Sequence, residues 1–286
     1  MYLPWSTYSE IVNDTPCSMT EKILSIEHAH PGNALKLTRG PFIGCAGWSL
    51  SAAVQKDFAI EGTHLERYAG VLPAVEINSS FYRPHRPDTY ARWRDSVPDE
   101  FRFSVKVPKT ITHELRLRNV DETLTRFLDE AGNLREKLGC LLVQLPPKLA
   151  FDRAAAQGFF GDLRMRTEVP VVCEPRHATW FSNEAAAVLA QAGVGFVRAD
   201  PPAVRLPIPA VDAATVYIRL HGSPVIYRSV YSEEYLTRLH AEMTEMLGAG
   251  KHVWCIFDNT ADGAAVPNAL SLLRRFQTPR ENIRLP

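Results

Sequence analysis

No charge of either sign prevails in this sequence: 32 lysines and arginines face 32 aspartates and glutamates across 286 residues. That balance argues against a dedicated nucleic-acid binder, which carries a basic excess on one face. No apolar run approaches the roughly 18 residues of a membrane span. Residues Met1 through Asp14 hold no cationic segment followed by an apolar stretch, so a soluble, cytoplasmic protein without a membrane partner is expected. Cysteines are few and odd in number. Cys17, Cys45, Cys140, Cys173 and Cys255 include no pair at zinc-ligand spacing, and four of them lie inside apolar runs. They read as buried free thiols of a reducing compartment. A glycine-rich phosphate loop is also missing. Gly44, Gly47 and Gly62 do not form GxGxxG, so no nucleotide cofactor motif is present.

What is present is a rhythm. Residues 1–40 are polar and interrupted by Pro4, Pro16 and Pro31, with one short helical stretch near Thr20–His28. They read as an N-terminal extension to a domain over residues 41–286. From Phe42 onward, short β-branched apolar runs end in Gly, Pro or polar residues. These runs are Phe42–Trp48, Ala74–Asn78, Phe101–Val107, Cys140–Leu145, Val169–Glu174, Gly195–Asp200, Val216–His221 and Val253–Asp258. Helical spacing is clearest over Asn119–Leu138, where Leu124, Phe127, Leu128, Ala131, Leu134 and Leu138 recur at three- and four-residue intervals. Ser182–Ala192 opens on a serine N-cap and stops at Gly193. Ser232–Leu247 opens on a serine and two glutamates, favourable at a helix N-terminus, and Ala264–Phe276 closes the series. Strand then helix, about eight times, predicts an α/β fold with a parallel sheet. Eight strands can close into a single (β/α)8 TIM-barrel-like domain without edges.

In a barrel strand, alternate side chains point inward, and those at the carboxyl ends face the loops that build active sites. Val75 and Ile77 leave Glu76 and Asn78 on the other face, and Phe103 and Val105 leave Ser104 and Lys106. Gln144 opposes Val143 and Leu145, and Arg198 and Asp200 share a face. Ile218 and Leu220 alternate with Tyr217, Arg219 and His221, while Asp258 follows Trp254 and Ile256, with Asn259 just beyond. The fifth run ends Glu174-Pro175-Arg176-His177. One polar strand end marks only a strand emerging into solvent. A succession of them marks a pocket, because buried charge is costly unless paired or used.

Four acids (Glu76, Glu174, Asp200, Asp258) then face four bases (Lys106, Arg176, Arg198, Arg219), with His177 and His221 beside them. Three chemistries fit. A divalent metal could be held by acids and histidines, as in a phosphoesterase-like hydrolase, although no HxH or HExxH pair supplies a local cluster. Lys106 could form a Schiff base, against which stands a salt-bridged structural lysine. Metal-free recognition of an anion or polyol, with Glu174 or His221 as acid or base, is the preferred reading. It places Glu174, His177 and His221 in catalysis. Around the substrate it places Glu76, Asn78, Tyr82, Lys106, His113, Gln144, Arg176, Asp200, Arg219, Asp258 and Asn259. Among the aromatics near the strand ends, Trp48, Phe81, Tyr82, Trp180, Phe181, Tyr227 and Tyr231, some are candidates for a stacking wall, packing being their simpler role. The expected protein is an enzyme of hydrolase or lyase type with a small polar or anionic ligand. Its rival is a non-catalytic ligand- or nucleic-acid-binding protein, whose mouth would hold a phosphate backbone.

Longer motifs carry a family resemblance. Ile43-Gly44-Cys45-Ala46-Gly47-Trp48-Ser49 resembles the IGTSGWS opening of the domain of unknown function 72 family, and Val75 through Tyr82 resembles its VEINSTFY block. Phe103 through Lys106 with Ile111-Thr112-His113 is similar to its third-strand block. Leu141 through Pro147 is similar to LLxQLPP, Glu174 through His177 with Trp180-Phe181 to ExRHxSWF, and Arg219 through Gly222 to RxHG. The resemblance spans residues 42 to about 276. It implies a TIM-barrel-like fold and no particular activity. Where the family is close to FNND, this chain reads Phe257-Asp258-Asn259-Thr260, a carboxylate in place of an amide.

Overall fold

Each expected apolar run contributes a strand, and every strand pair is parallel. The strands are β1 (Phe42–Ala46), β2 (Ala74–Ile77), β3 (Arg102–Lys106), β4 (Leu138–Gln144), β5 (Val171–Glu174), β6 (Val194–Phe196), β7 (Arg198–Asp200), β8 (Thr215–Leu220) and β9 (His252–Phe257). They belong to a computed structural model that describes residues 40–277. Hydrogen bonding follows the order β6-β5-β4-β3-β2-β1-β9-β8-β7. Only Val197 separates β6 from β7. β6 pairs with β5 while β7 pairs with β8. The two short strands are halves of one stave, so the sheet curls into a nearly closed, eight-staved parallel barrel. The extension expected over residues 1–40 lies, apart from Gly40, outside the described residues, as does Cys17.

Helices follow the strands as α1 (His64–Ala69), α2 (Pro87–Asp95), α3 (Asp121–Ala131), α4 (Arg153–Arg166), α5 (Asn183–Gln191), α6 (Glu233–Gly248) and α7 (Ala265–Gln277). The expected serine caps form: Ser182 Oγ accepts from the Ala185 N–H at 3.2 Å, and Ser232 Oγ from Tyr235 at 3.3 Å. The long helix expected over Asn119–Leu138 is shorter. α3 ends at Ala131, a 3-10 segment covers Gly132–Lys137, and Leu138 opens β4. Arg135, at φ 50°, breaks the helical path, while Leu134 keeps the apolar spacing by reaching the core all the same. α1 and α4 bury short stripes at three- and four-residue spacing, Leu65, Tyr68 and Ala69 and then Ala156, Phe159, Phe160 and Leu163, whereas α2 buries Tyr90. Local markers open all three: a Thr63–Glu66 capping box, Pro87 in the first turn and the Asp152 cap. No helix of the described residues is long and apolar enough to cross a membrane.

Two apolar cores divide the work. The larger lies between barrel and helices and includes Ile43, Val75, Phe103, Leu141, Cys173, Ile218 and Cys255. The smaller fills the barrel itself with Phe42, Ala74, Cys140, Leu142, Val172, Val197, Tyr217, Trp254 and Ile256. Trp254 stacks on Phe42 at 4.6 Å and on Tyr217 at 5.8 Å between ring centroids. It fits because residue 139 is glycine; a Cβ there would stand 2.7 Å from the indole. This plug closes the amino-terminal side, so the open positions lie at the carboxyl ends of the strands. Cys45, Cys140, Cys173 and Cys255 are free and buried. Burial pushes all four thiols up, Cys45 to about 12, which leaves them unreactive packing residues.

The seam at β6 is tight: a Cβ on Gly195 would lie 2.7 Å from the Thr215 carbonyl oxygen of β8. Gly195→Ala is therefore expected to destabilise the protein by about 1–3 kcal/mol. The measurement is urea unfolding, with a lower midpoint at unchanged slope; an unaltered midpoint would show that the seam is loose.

Candidate active site

β8 supplies the centre because its alternate residues, Tyr217 and Arg219, point into the barrel while Ile218 packs toward the helices. Arg219 is 1% exposed and is surrounded by acids from three other strands or their ends. Its Nη2 and Nε donate to Glu76 Oε1 and Oε2 at 2.7 and 3.0 Å, a two-pronged pair. Nη1 reaches Glu174 Oε2 at 3.2 Å, and Nη2 lies 3.1 Å from Asp258 Oδ2. Beneath it, the Tyr217 hydroxyl donates to Glu76 Oε2 at 2.9 Å and is hydrogen-bonded to Ser104 Oγ at 2.9 Å. Arginine suits this place: its planar fork serves several carboxylates at once and never gives up its proton. Burial disfavours the Arg219 cation, but Glu76, Asp258 and Glu174 outweigh it and raise its pKa well above the ordinary value.

Above this layer sits His221, just past the end of β8. Its Nδ1 lies 2.9 Å from Asp258 Oδ2 and its Nε2 lies 3.2 Å from Glu174 Oε1. Burial opposes the imidazolium, yet the hydrogen bonds to Asp258 and Glu174 and the Glu174 charge raise its pKa. Both carboxyls respond in kind. Burial would raise them, but Arg219 and His221 hold Glu174 well below, and Asp258 below, the usual range. Glu174 Oε1 also accepts from Arg176 at 2.9 and 3.0 Å and from Gln144 Nε2 at 3.3 Å. The three buried acids are thus occupied with protein donors. Among the described residues, no three His, Cys, Asp or Glu side chains are grouped to hold a metal ion.

Lys106, at the end of β3, differs from its neighbours. It is 4% exposed, yet no carboxylate of the described residues forms an ion pair with it. Its Nζ instead stands 4.2 Å from the centre of the Phe81 ring. Burial, then the Arg219 charge, lower its pKa to about 8 against the pull of Glu76, Glu174 and Asp258. The loop after β2 is fastened over it, since the Ser80 hydroxyl meets the Ile77 and Lys106 carbonyls at 2.9 and 2.7 Å. His113 packs edge-on against Phe81, ring centroids 4.9 Å apart. Burial and then the charges of Lys106 and Arg176 lower its pKa.

The structure therefore brings together Glu76, Lys106, Gln144, Glu174, Arg176, Arg219, His221 and Asp258, with His113 beside them. Others lie elsewhere. The sequence pairs Arg198 and Asp200 with the inward face, but Val197 is the inward residue of that stave, and both point out. Asp200 accepts from the Tyr231 hydroxyl at 3.0 Å, and Arg198 reaches toward Glu242 of α6. His177 serves as a cap: its Nδ1 accepts from the Thr179 N–H at 3.3 Å and faces Thr179 Oγ1 at 2.9 Å. Asn259 Nδ2 donates to the Ser229 carbonyl and to Asn268 of α7, a loop-fastening role. Tyr82 is 67% exposed, edge-on to Phe81. Asn78 follows β2 with its Oδ1 buried and without a protein partner. Tyr217 and Ser104 enter the network although neither was a candidate; the two-residue alternation that selected Arg219 and Lys106 also marks them.

Two substitutions separate the roles of the buried cations. Arg219→Met leaves three buried acids without their shared donor and should cost about 3–5 kcal/mol at neutral pH. In the wild type, the lowered carboxyl pKa values give stability that is present above the unfolded values and lost as pH falls through the folded ones. In the variant the same carboxyls, buried without that cation, are raised instead, so they protonate as pH falls and the deficit shrinks in urea titrations repeated from pH 7 toward pH 4; a constant deficit would refute the account. Lys106→Met removes a charge that pays for burial without a partner, and should raise stability at neutral pH by about 2 kcal/mol. A lower urea midpoint for this variant would show that the lysine holds the fold.

The family model described as "Protein of unknown function DUF72" matches residues 42–286. The UPF0759 protein YecE of Escherichia coli K12 is 33% identical over 142 residues, which is 50% of each chain. The chain thus spans about half the length of this curated relative. The UPF0759 protein YunF of Bacillus subtilis 168 is 22% identical over 267 residues, covering 81% of this chain and 93% of YunF. Crystal structures of DUF72 family proteins from Enterococcus faecalis V583 and Thermotoga maritima MSB8 have the same fold. Both give a TM-score of 0.71, at 22% and 24% identity, over 86% and 83% of this chain and 99% of theirs. With the model match covering the whole barrel, this chain belongs to the DUF72 family.

Proposed function

We propose that this protein is an enzyme that binds a small anionic substrate at the barrel mouth and moves a proton on it through His221. The observation that carries this reading is the clamping of His221, at 2.9 Å by Asp258 and at 3.2 Å by Glu174, among basic side chains. A carboxylate on Nδ1 fixes the tautomer and orientation of an imidazole and supports its cationic form. A raised pKa suits a general acid near neutral pH. Turning Nε2–H from Glu174 to a substrate atom strands nothing, because Arg219, Arg176 and Gln144 still satisfy that carboxylate.

Charge favours an anion. Glu76, Glu174 and Asp258 are matched by Arg219, Arg176 and Lys106, so a protonated His221 makes the cluster net positive. Arg176, its side chain 23% exposed, is the group best placed to meet a carboxylate or phosphate at the surface. Lys106 adds its field from the other side of the mouth. A dication has no such invitation, since the acids already converge on a guanidinium. Proton transfer of hydrolase or lyase type is the chemistry this arrangement supports.

Thermal melts with carboxylates, phosphates, sugars and oligonucleotides test the reading. An anion at about 100 times its dissociation constant should add roughly 2.7 kcal/mol. Arg176→Gln should remove that shift, while His221→Asn should keep the shift and lose turnover of the stabilising compound. Equal stabilisation by neutral polyols, or none by any anion, would sink the proposal.

A further inference from the structure

Resting on the acid–base reading of this mouth, we propose that Lys106 is a nucleophile whose amine condenses with the carbonyl of an anionic aldehyde or ketone, the 2-oxo acids being the fitting class. The observation is an amine at the carboxyl end of a barrel strand that has no carboxylate or hydrogen-bond partner among the described residues and rests only on the Phe81 ring. A buried structural lysine behaves differently, and the same chain provides the contrast. Lys137, 5% exposed, gives its Nζ to the carbonyls of Arg94 and Val97 at 2.9 and 2.7 Å and lies 3.6 Å from Asp99. Lys106, equally buried, has no such bond, although three carboxylates are close enough to act on its charge. Those carboxylates are taken by Arg219, His221 and Arg176.

Holding a lysine out of water beside another cation is a known way to keep its amine free and reactive. The groups acting on Lys106 are Arg219 of β8, Glu76 of β2, Glu174 of β5 and Asp258 after β9, with His113 facing it from the loop after β3. Their sum, with burial, brings the amine to about 8. Phe81 gives the Nζ a fixed apolar wall at 4.2 Å, which shields an iminium from water. Arg176 and His113 are set to hold the carboxylate of the same substrate.

The step balances with the groups present. The neutral amine adds to the carbonyl carbon, a C–N bond forms as the C=O π bond opens, and one amine hydrogen passes to oxygen. The resulting carbinolamine takes a proton from the His221 imidazolium and loses water, leaving an N-protonated iminium on Lys106. The iminium then draws electrons from the neighbouring carbon, so a C–H or C–C bond there can break, which is lyase chemistry.

The test is reductive trapping on the full chain with glyoxylate and sodium cyanoborohydride, read by peptide mass spectrometry. At about pH 7.5 Lys106 should be alkylated about tenfold faster than exposed Lys56 or Lys109, because its lowered pKa leaves much of its amine free and nucleophilic. Its rate should level off above about pH 8. Arg176→Gln should slow labelling at Lys106 alone, and Lys106→Arg should abolish only that peptide's label. Labelling that tracks exposure and spares Lys106 would overturn the proposal. Glyoxylate that raises the melting temperature without labelling Lys106 would overturn it while leaving the anion-binding reading intact. No label together with no stabilisation by glyoxylate or by any other anion would remove both.

Discussion

A single buried guanidinium, Arg219, organises the barrel above its aromatic plug. Three carboxylates, from β2, from β5 and from the residue after β9, converge on it, with Tyr217 and Ser104 completing the layer. Each acid would be costly to bury alone, and the arginine equally so. Together they satisfy one another and tie walls of the barrel that are far apart in sequence. The middle of this barrel is therefore bolted by charge where many barrels are filled by branched apolar residues.

That bolt sets the character of everything above it. Because the acids are directed inward to Arg219, what remains at the mouth is basic: Arg176 at the rim, His113 on its loop, Lys106 over Phe81, and a doubly held His221. Arg219 and Lys106 divide the positive charge by chemistry. The guanidinium holds its proton well above its ordinary pKa, while the amine is lowered to about 8 by burial and by that same guanidinium.

Much of this was legible before any coordinates. The eight apolar runs predicted the staves, and Ser182 and Ser232 marked their helices. Period-two alternation separated Glu76, Lys106, Arg219 and Asp258 from the residues that face the helices. It failed in the sixth stave, where Arg198 and Asp200 were the polar residues to hand but Val197 is the one that points inward. Alternation says which residues share a face, not which face meets the barrel axis. His177 turns its Nδ1 to a local cap on Thr179, a contact that strand patterning does not show. The helix expected over Asn119–Leu138 failed at Arg135, because apolar spacing continues through a break that only backbone geometry shows.

By itself, then, the sequence determined the parallel α/β barrel, the carboxyl-end location of the polar residues and most of their identities. These follow from short-range patterning, in which each residue's face is set by its neighbours two or four positions away. Only the tertiary structure decided which charges meet. That Arg219 takes Glu76, Glu174 and Asp258, that His221 bridges two acids, and that Lys106 is left without one depends on the relative stagger of strands widely separated in the chain. Pairing of buried charge is a contest among all donors and acceptors within a few ångströms, and its outcome is written in distances that no local pattern contains.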